Sequence, residues 1–212
     1  MPRLALAIWA LWFFGLFVLR TILHWRNTGS TGIKGFHGGF GSLPWFAGRA
    51  VSLGFMLAAL GPIGALRGWP GGSLLVSSSE LDQLGALFAL LGIVGGLVAQ
   101  QMMGSSWRVG VDESETTTLV TDGLFAWARN PIFTSMLLSA AGFVLLVPNV
   151  LVLLGCALTV AGIEAQLRVV EEPYLLKTHG RTYEEYAARV GRFLPGVGRL
   201  RRRSEPTRPA SV

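Results

Sequence analysis

Apolar residues in this chain come in five runs, with most polar residues between them. Leu4 to Leu23 is the first; as a helix it is about 30 Å long, the thickness of a bilayer's hydrocarbon layer. Phe46 to Leu66 is the second, with Pro62 near its end, and Leu84 to Met103 the third, closing on Gln100 and Gln101. Ile132 to Val147 and Val150 to Ile163 are shorter, about 24 and 21 Å as helices. They predict either two crossings helped by flanking turns or a re-entrant hairpin, and five crossings is the favoured count. The last run is expected to continue as a helix past Glu164, Arg168 and Glu172 and out of the bilayer. The basic start of the chain also suits a secretory signal, but no A-x-A cleavage pattern follows. Arg20, His24, Trp25 and Arg26 read instead as an anchor at the membrane–water interface.

Composition agrees with this pattern. Of 212 residues, 51% are hydrophobic and 14% charged, which marks a membrane protein and leaves no room for a large soluble domain. A net charge of +6 raises the question of nucleic acid, but the location of the charge answers it. Ten of the eighteen Lys and Arg lie after Ile163, and the rest sit at the ends of apolar runs. That distribution orients a polytopic protein and meets anionic lipid, with no nucleic-acid partner implied. The His24–Arg49 loop holds Arg26, Lys34 and Arg49, whereas Arg67 to Gln83 sets one Arg against Glu80 and Asp82. The Gly104–Pro131 loop holds Arg108 and Arg129. The positive-inside rule then places the first, third and final polar segments in the cytosol and the N-terminus outside, with Arg3 as a mild objection. Cys156 is the single cysteine and lies within an apolar run, so neither a disulfide framework nor a thiolate metal site is expected.

Several polar clusters have plain readings. Asn27 to Trp45 is rich in glycine, but a phosphate cradle needs a preceding strand and a following helix N-terminus, so a flexible cytosolic loop is expected, Lys34 and His37 included. Asp112, Glu113 and Glu115, with Asp122 beyond, lack His or Cys at ligand spacing and read as a solvated loop; no metal site is expected. His179-Gly180 reads as a helix end with a left-handed cap. The tail, with Arg199, Arg201, Arg202, Arg203 and Arg208 among Pro and Ser, reads as a disordered topological anchor, with lipid headgroup contact as the alternative.

Other clusters carry chemistry. Arg129-Asn130-Pro131 stands at the foot of the last apolar hairpin and Glu171-Glu172 at its far foot, with no charged residue from Ile132 to Ile163. Pro148-Asn149 is a turn signal between them, so the two feet are expected to meet at one membrane surface and enclose a polar pocket. Glu164, Arg168 and Glu172, four apart, fall on one helical face with Arg168 between two carboxylates. Pro173 then removes the N–H that would bond Val169. Tyr183 and Tyr186 share a helical face and also suit an interfacial belt.

Taken in order, Asp122-Gly123-Leu124-Phe125, Arg129-Asn130-Pro131-Ile132-Phe133, Glu171-Glu172-Pro173, the run from His179 through Tyr183 to Tyr186, and Arg192-Phe193-Leu194-Pro195 resemble the isoprenylcysteine carboxyl methyltransferase and phospholipid methyltransferase superfamily. The resemblance covers about the last hundred residues. It implies an all-α, polytopic membrane bundle of about five transmembrane helices, with a C-terminal cytosolic helical cap over a cofactor pocket. Residues 1–103 would form an N-terminal three-helix membrane region, 104–198 the catalytic region, and 199–212 the basic tail. The implied cofactor is S-adenosylmethionine, and the implied acceptor is a small or lipid-borne apolar molecule. Gly123, Leu124, Phe125, Asn130, Pro131, Glu171, Tyr183 and Tyr186 would line the cofactor. Arg129 and Glu172 would orient the cofactor head and the acceptor, Arg192 would close the pocket, and Arg168 would stand behind. Asn130 occupies the family's histidine position and cannot titrate, and Phe133 replaces its tyrosine and loses a hydroxyl. An NADPH-dependent sterol or steroid reductase, with a similar C-terminal hairpin, and a non-catalytic scaffold of the same fold are the alternatives.

Overall fold

The computed structural model describes residues 1–35, 39–69, 74, 78–111 and 117–200. His37, the acidic cluster Asp112, Glu113 and Glu115, and the tail arginines Arg201, Arg202, Arg203 and Arg208 lie outside the described residues. The described chain is helical, and only two isolated backbone bridges, Ile33 with Val109 and Ala128 with Gly191, stand outside helix and loop.

Helix α1 is Pro2–Thr28, α2 Leu43–Arg67, α3 Ser79–Met103, α4 Pro131–Leu146, α5 Val150–Gln166 and α6 Glu172–Arg189. The ends follow local chemistry. Gly29 and Gly68 close α1 and α2 in the left-handed region, at φ 76° and 67°. Ser42, Ser78 and Asn149 cap α2, α3 and α5 by accepting from the N–H of Trp45, Leu81 and Val152. Pro131 opens α4, where its missing N–H costs nothing. α1, α2, α3 and the continuous α5–α6 helix are long and apolar enough to cross a membrane. α4, at 16 residues, is the short member expected from the sequence.

Two antiparallel seams hold the bundle. α2 packs on α5, where a methyl on Gly155 would stand 2.8 Å from the Gly54 carbonyl oxygen, and one on Gly162 2.8 Å from that of Ala47. α3 packs on α4, where a methyl on Gly142 would meet the Ala89 nitrogen at 2.5 Å and one on Gly92 the Ser135 carbonyl at the same distance. Small residues allow this approach, and in lipid, packing of this kind replaces the hydrophobic drive that would bring helices together in water. α1 lies across both pairs, burying Ala5, Ile8, Trp12 and Leu16 against Ala89, Ile93, Met136 and Phe143. The helices alternate in direction. Residues 29–35, 39–42, 104–111, 117–130 and 190–200 therefore gather at one end, and the Pro148 turn at the other, where the Leu74 N–H donates to the Pro148 carbonyl.

α5 and α6 are joined through a π-turn, Leu167–Glu171. Pro173 cannot donate to Val169, and the wider turn accommodates the loss. A helix beginning at Val150 needs about 20 residues to cross 30 Å, so the crossing ends near Val169 and Glu171 onward stands beyond it.

Three expectations change. Arg20 and His24 are not interfacial anchors; both turn inward and are buried, with the Arg20 Nη2 donating to the Gly104 carbonyl at 2.7 Å and its guanidinium 5.0 Å from the Trp107 ring. Trp25 and Arg26 on the same helix do face outward. The glycine-rich loop is docked along its described residues: Val109 N–H donates to the Gly32 carbonyl and Lys34 N–H to that of Val109. Gly32, at φ 70°, lets the strand lie against His24 and Trp107. Gly180, at φ 49° and ψ −126°, kinks α6 rather than ending it, and helical geometry resumes through Arg189.

Candidate active site

The two feet of the hairpin meet. Arg129 N–H donates to the Gly191 carbonyl at 2.9 Å and Asn130 N–H to that of Arg192 at 3.1 Å, a short parallel clamp between stretches sixty residues apart. Gly191 is required there, since a methyl on it would press on the carbonyls of Leu194 and Val197. The Asn130 side chain reinforces the clamp through Nδ2 to the Arg192 carbonyl, and Thr134 donates to that of Phe193.

Behind the clamp lies a buried ion cluster. Arg129 is 5% exposed and Glu172 6%, with Nη2 3.2 Å from Oε1. Arg192 grips the same carboxylate with two prongs, Nε to Oε1 at 2.8 Å and Nη2 to Oε2 at 3.0 Å. Arg129 also donates from Nη1 to the Tyr183 hydroxyl at 3.1 Å and from Nη2 to the Gly198 carbonyl at 2.8 Å. The Tyr186 hydroxyl donates to the Phe125 carbonyl at 2.7 Å. The grip of Glu172 holds the Arg192 guanidinium above its ordinary range. Burial pushes the Tyr183 phenol up to about 12 and raises that of Tyr186, so both keep their protons at neutral pH.

The expected ladder of Glu164, Arg168 and Glu172 does not form as one face. Among the described residues Arg168 pairs with Glu164 alone, Nε to Oε2 at 2.8 Å, and is largely exposed. The π-turn supplies the reason: one extra residue shifts the register below it by about 100°, which swings Glu172 inward to the arginines.

In front of the cluster is a cavity of about 190 Å³. Its polar end is made by Arg108, Arg129, Asn130, Glu171, Tyr183 and Tyr186, with Phe125 and Pro131 beside them. Its apolar end runs into the bundle between Phe17, Val51, Phe55, Phe133, Met136 and Ile163. Glu171 is half-buried in the wall, and burial first, then the neighbouring Glu172 charge, raises its carboxyl to about 7 against the pull of Arg108.

Of the residues expected from sequence, Phe125, Arg129, Asn130, Pro131, Glu171, Tyr183 and Tyr186 thus converge on one cavity. Gly123, Leu124, Glu172 and Arg192 stand outside its lining. Gly123, at φ 55°, and Leu124 form the turn that carries Phe125, pinned to α3 where Leu124 N–H donates to the Met102 sulfur. Glu172 and Arg192 hold Arg129 from behind. The sequence reading passed over Arg108, Trp107, Gln100, Gln166 and Tyr174, all of which line the cavity. The buried glutamines closing two apolar runs, 1% and 3% exposed, were the available signal, because an amide so placed is rarely idle.

Residues 82–182 match the family model described as phospholipid methyltransferase. Proteins named protein-S-isoprenylcysteine O-methyltransferase from Xenopus laevis and Rattus norvegicus are 30% and 31% identical over 119 residues, 55% of this chain and 41% and 42% of theirs. The chain thus spans about two fifths of the length of those relatives. In fold, a solved eukaryotic intramembrane Ras methyltransferase, isoprenylcysteine carboxyl methyltransferase, matches with a TM-score of 0.59 at 22% identity, over 92% of this chain and 66% of that one. Residues 82–182 of this integral membrane protein are thus similar in sequence to phospholipid methyltransferases, and nearly the whole chain shares the fold of the isoprenylcysteine carboxyl methyltransferase structure.

Proposed function

We propose that the chain is an integral membrane methyltransferase that uses S-adenosylmethionine and acts on an apolar or lipid-borne acceptor. Residues 104–198 form its catalytic region at the cytosolic surface, and residues 1–103 the membrane platform. One observation carries the reading: a single cavity joins a rim of Arg108, Arg129, Glu171 and two tyrosines to an apolar arm inside the bundle. Such a cavity suits a water-soluble, charged cofactor at one end and a lipid-soluble partner at the other. The name of the curated relatives points to an isoprenylated cysteine as the acceptor class to try first.

The residues present fit the cofactor. Its carboxylate needs a guanidinium, its ammonium and ribose diol need a carboxylate, and its sulfonium is favoured over aromatic faces. Arg108, Glu171 and the rings of Phe125, Tyr183 and Tyr186 supply that set, and the Arg108 Nη1 and Gln166 Oε1 are buried without partners in the protein. When bound, S-adenosylmethionine supplies an electrophilic methyl group for in-line displacement. The chain's own part is positioning and exclusion of water, which together lower such a barrier by several kcal/mol, about 7 or more at the best. Neither tyrosine serves as a base with its proton held so tightly, and Asn130 does not titrate. Glu171, in the same cavity with its carboxyl raised to about 7, is placed to take a proton from an acceptor that must lose one, whereas a thiolate or carboxylate acceptor arrives already nucleophilic.

Calorimetry on detergent-solubilised protein should record binding of S-adenosylhomocysteine, and isotopically labelled S-adenosylmethionine should pass label to a lipid-extractable product. Absence of binding at millimolar cofactor would falsify the proposal.

A further inference from the structure

Arg108 and Arg129 line the polar end of the cavity, Arg192 stands behind Arg129, and the latter two have their terminal nitrogens committed to protein groups. Arg192 gives Nη2 to Glu172 and Nη1 to Glu164. Arg129 gives Nη1 to Tyr183 and Nη2 to Gly198 and Glu172. Arg108 differs. It lines the cavity, its guanidinium lies 4.9 Å from the centre of the Tyr174 ring, and its Nη1 is buried without a hydrogen-bond partner. A guanidinium laid on an aromatic face keeps its edge nitrogens for in-plane partners, and a buried donor left unpaired costs about 1–3 kcal/mol, more when charged.

We propose that Arg108 is the carboxylate-binding residue of this cavity, its open edge receiving a carboxylate from either the methionine part of the cofactor or the acceptor. The planar fork of an arginine matches a carboxylate with two parallel hydrogen bonds, a fit that a lysine or glutamine does not reproduce. The inference rests on the methyltransferase reading and moves the recognition role from Arg129, whose two terminal nitrogens are engaged and whose Nε alone lacks a partner, to a residue on the opposite loop.

Two matched pairs of ligands test it by calorimetry on the solubilised full chain. The first pair is S-adenosylhomocysteine and its decarboxylated analogue. The second, at saturating S-adenosylhomocysteine, is N-acetyl-S-farnesylcysteine and its methyl ester. The wild type should bind one acid about 10- to 100-fold more tightly than its carboxylate-free twin, the range expected for a charge-assisted pair. Arg108→Gln should erase that preference and leave the twin's affinity within about twofold. Loss in the first pair assigns the carboxylate to the cofactor, and loss in the second to the acceptor. Arg108→Lys, which keeps the charge and loses the fork, should retain part of the preference and carries the test should the glutamine variant not fold. A wild type with no preference in either pair, or a preference both variants leave intact, overturns the inference alone. A wild type that binds no S-adenosylhomocysteine overturns the functional reading as well.

Discussion

Glu172 lies between Arg129 and Arg192, so removing its charge strands two buried cations. Glu172→Gln should therefore lower unfolding stability by about 3–5 kcal/mol, whereas Glu164→Gln, whose main partner Arg168 faces solvent, should cost under about 1 kcal/mol. Thermal unfolding in detergent separates the two, and equal losses would contradict a buried cluster. Glu171 predicts the opposite behaviour. Its folded carboxyl titrates at about 7 and its unfolded one near the ordinary 4.5, so the folded state holds the proton more tightly. Its stabilising contribution is complete below about pH 4.5 and fades as pH rises toward 7. Glu171→Gln should raise the thermal midpoint at pH 8 and leave it nearly unchanged at pH 5. At this scale the sequence was readable where residues come in linear motifs: Arg129, Asn130 and Pro131 are contiguous, and Tyr183 and Tyr186 are three apart. Arg108 was hidden because a single arginine in a polar loop has no periodicity, and only the fold sets it beside Tyr174.

Among the elements, the seams are more exacting than the exposed faces. On α3, a methyl at Gly92 would press on the Ser139 hydroxyl and on the Ser135 carbonyl at 2.5 Å, so Gly92→Ala should destabilise by about 1–3 kcal/mol. Gly15 on α1 has only Leu97 at 3.9 Å, and Gly15→Ala should be neutral or slightly stabilising by the same unfolding measurement. The π-turn invites a sharper experiment. Deleting Val169 restores ordinary helical register and turns Glu172 away from its arginines, so S-adenosylhomocysteine binding should fall at least tenfold while helical circular dichroism is kept. The five apolar runs announced the helices to within a few residues, because hydrophobic length is what a bilayer demands. The π-turn could not be read from spacing, which presumes an unbroken 3.6-residue period. Docking of the glycine-rich loop was hidden for a related reason: its partner, Val109, lies more than seventy residues away.

For the whole molecule, the alternation of five helices sets the N-terminus and the cavity's polar rim at opposite ends. In a Cys156→Ala background, Thr28→Cys and Arg189→Cys should react with a membrane-impermeant maleimide only when the cytosolic side is open. Trp69→Cys should react from the outside, and labelling of all three from one side would refute the arrangement. The resemblance read from motifs in the second half extends in fold to 92% of the chain, including a first half whose sequence gave only generic spans. Apolar helices in lipid share composition whatever their fold, so their pairing is set by small-residue seams rather than by any recognisable motif. The clamp of residues 129 and 130 on 191 and 192 has a mechanical consequence. One side of the chamber is riveted by backbone and by ions together, whereas the facing wall of Trp107 to Val111 is held by two backbone hydrogen bonds to the glycine-rich segment and by ring contacts of Trp107 with Arg20 and His24 and of Arg108 with Tyr174. Breathing that admits a guest costs least on that weaker side, so traffic through this protein has a hinge side and a door side.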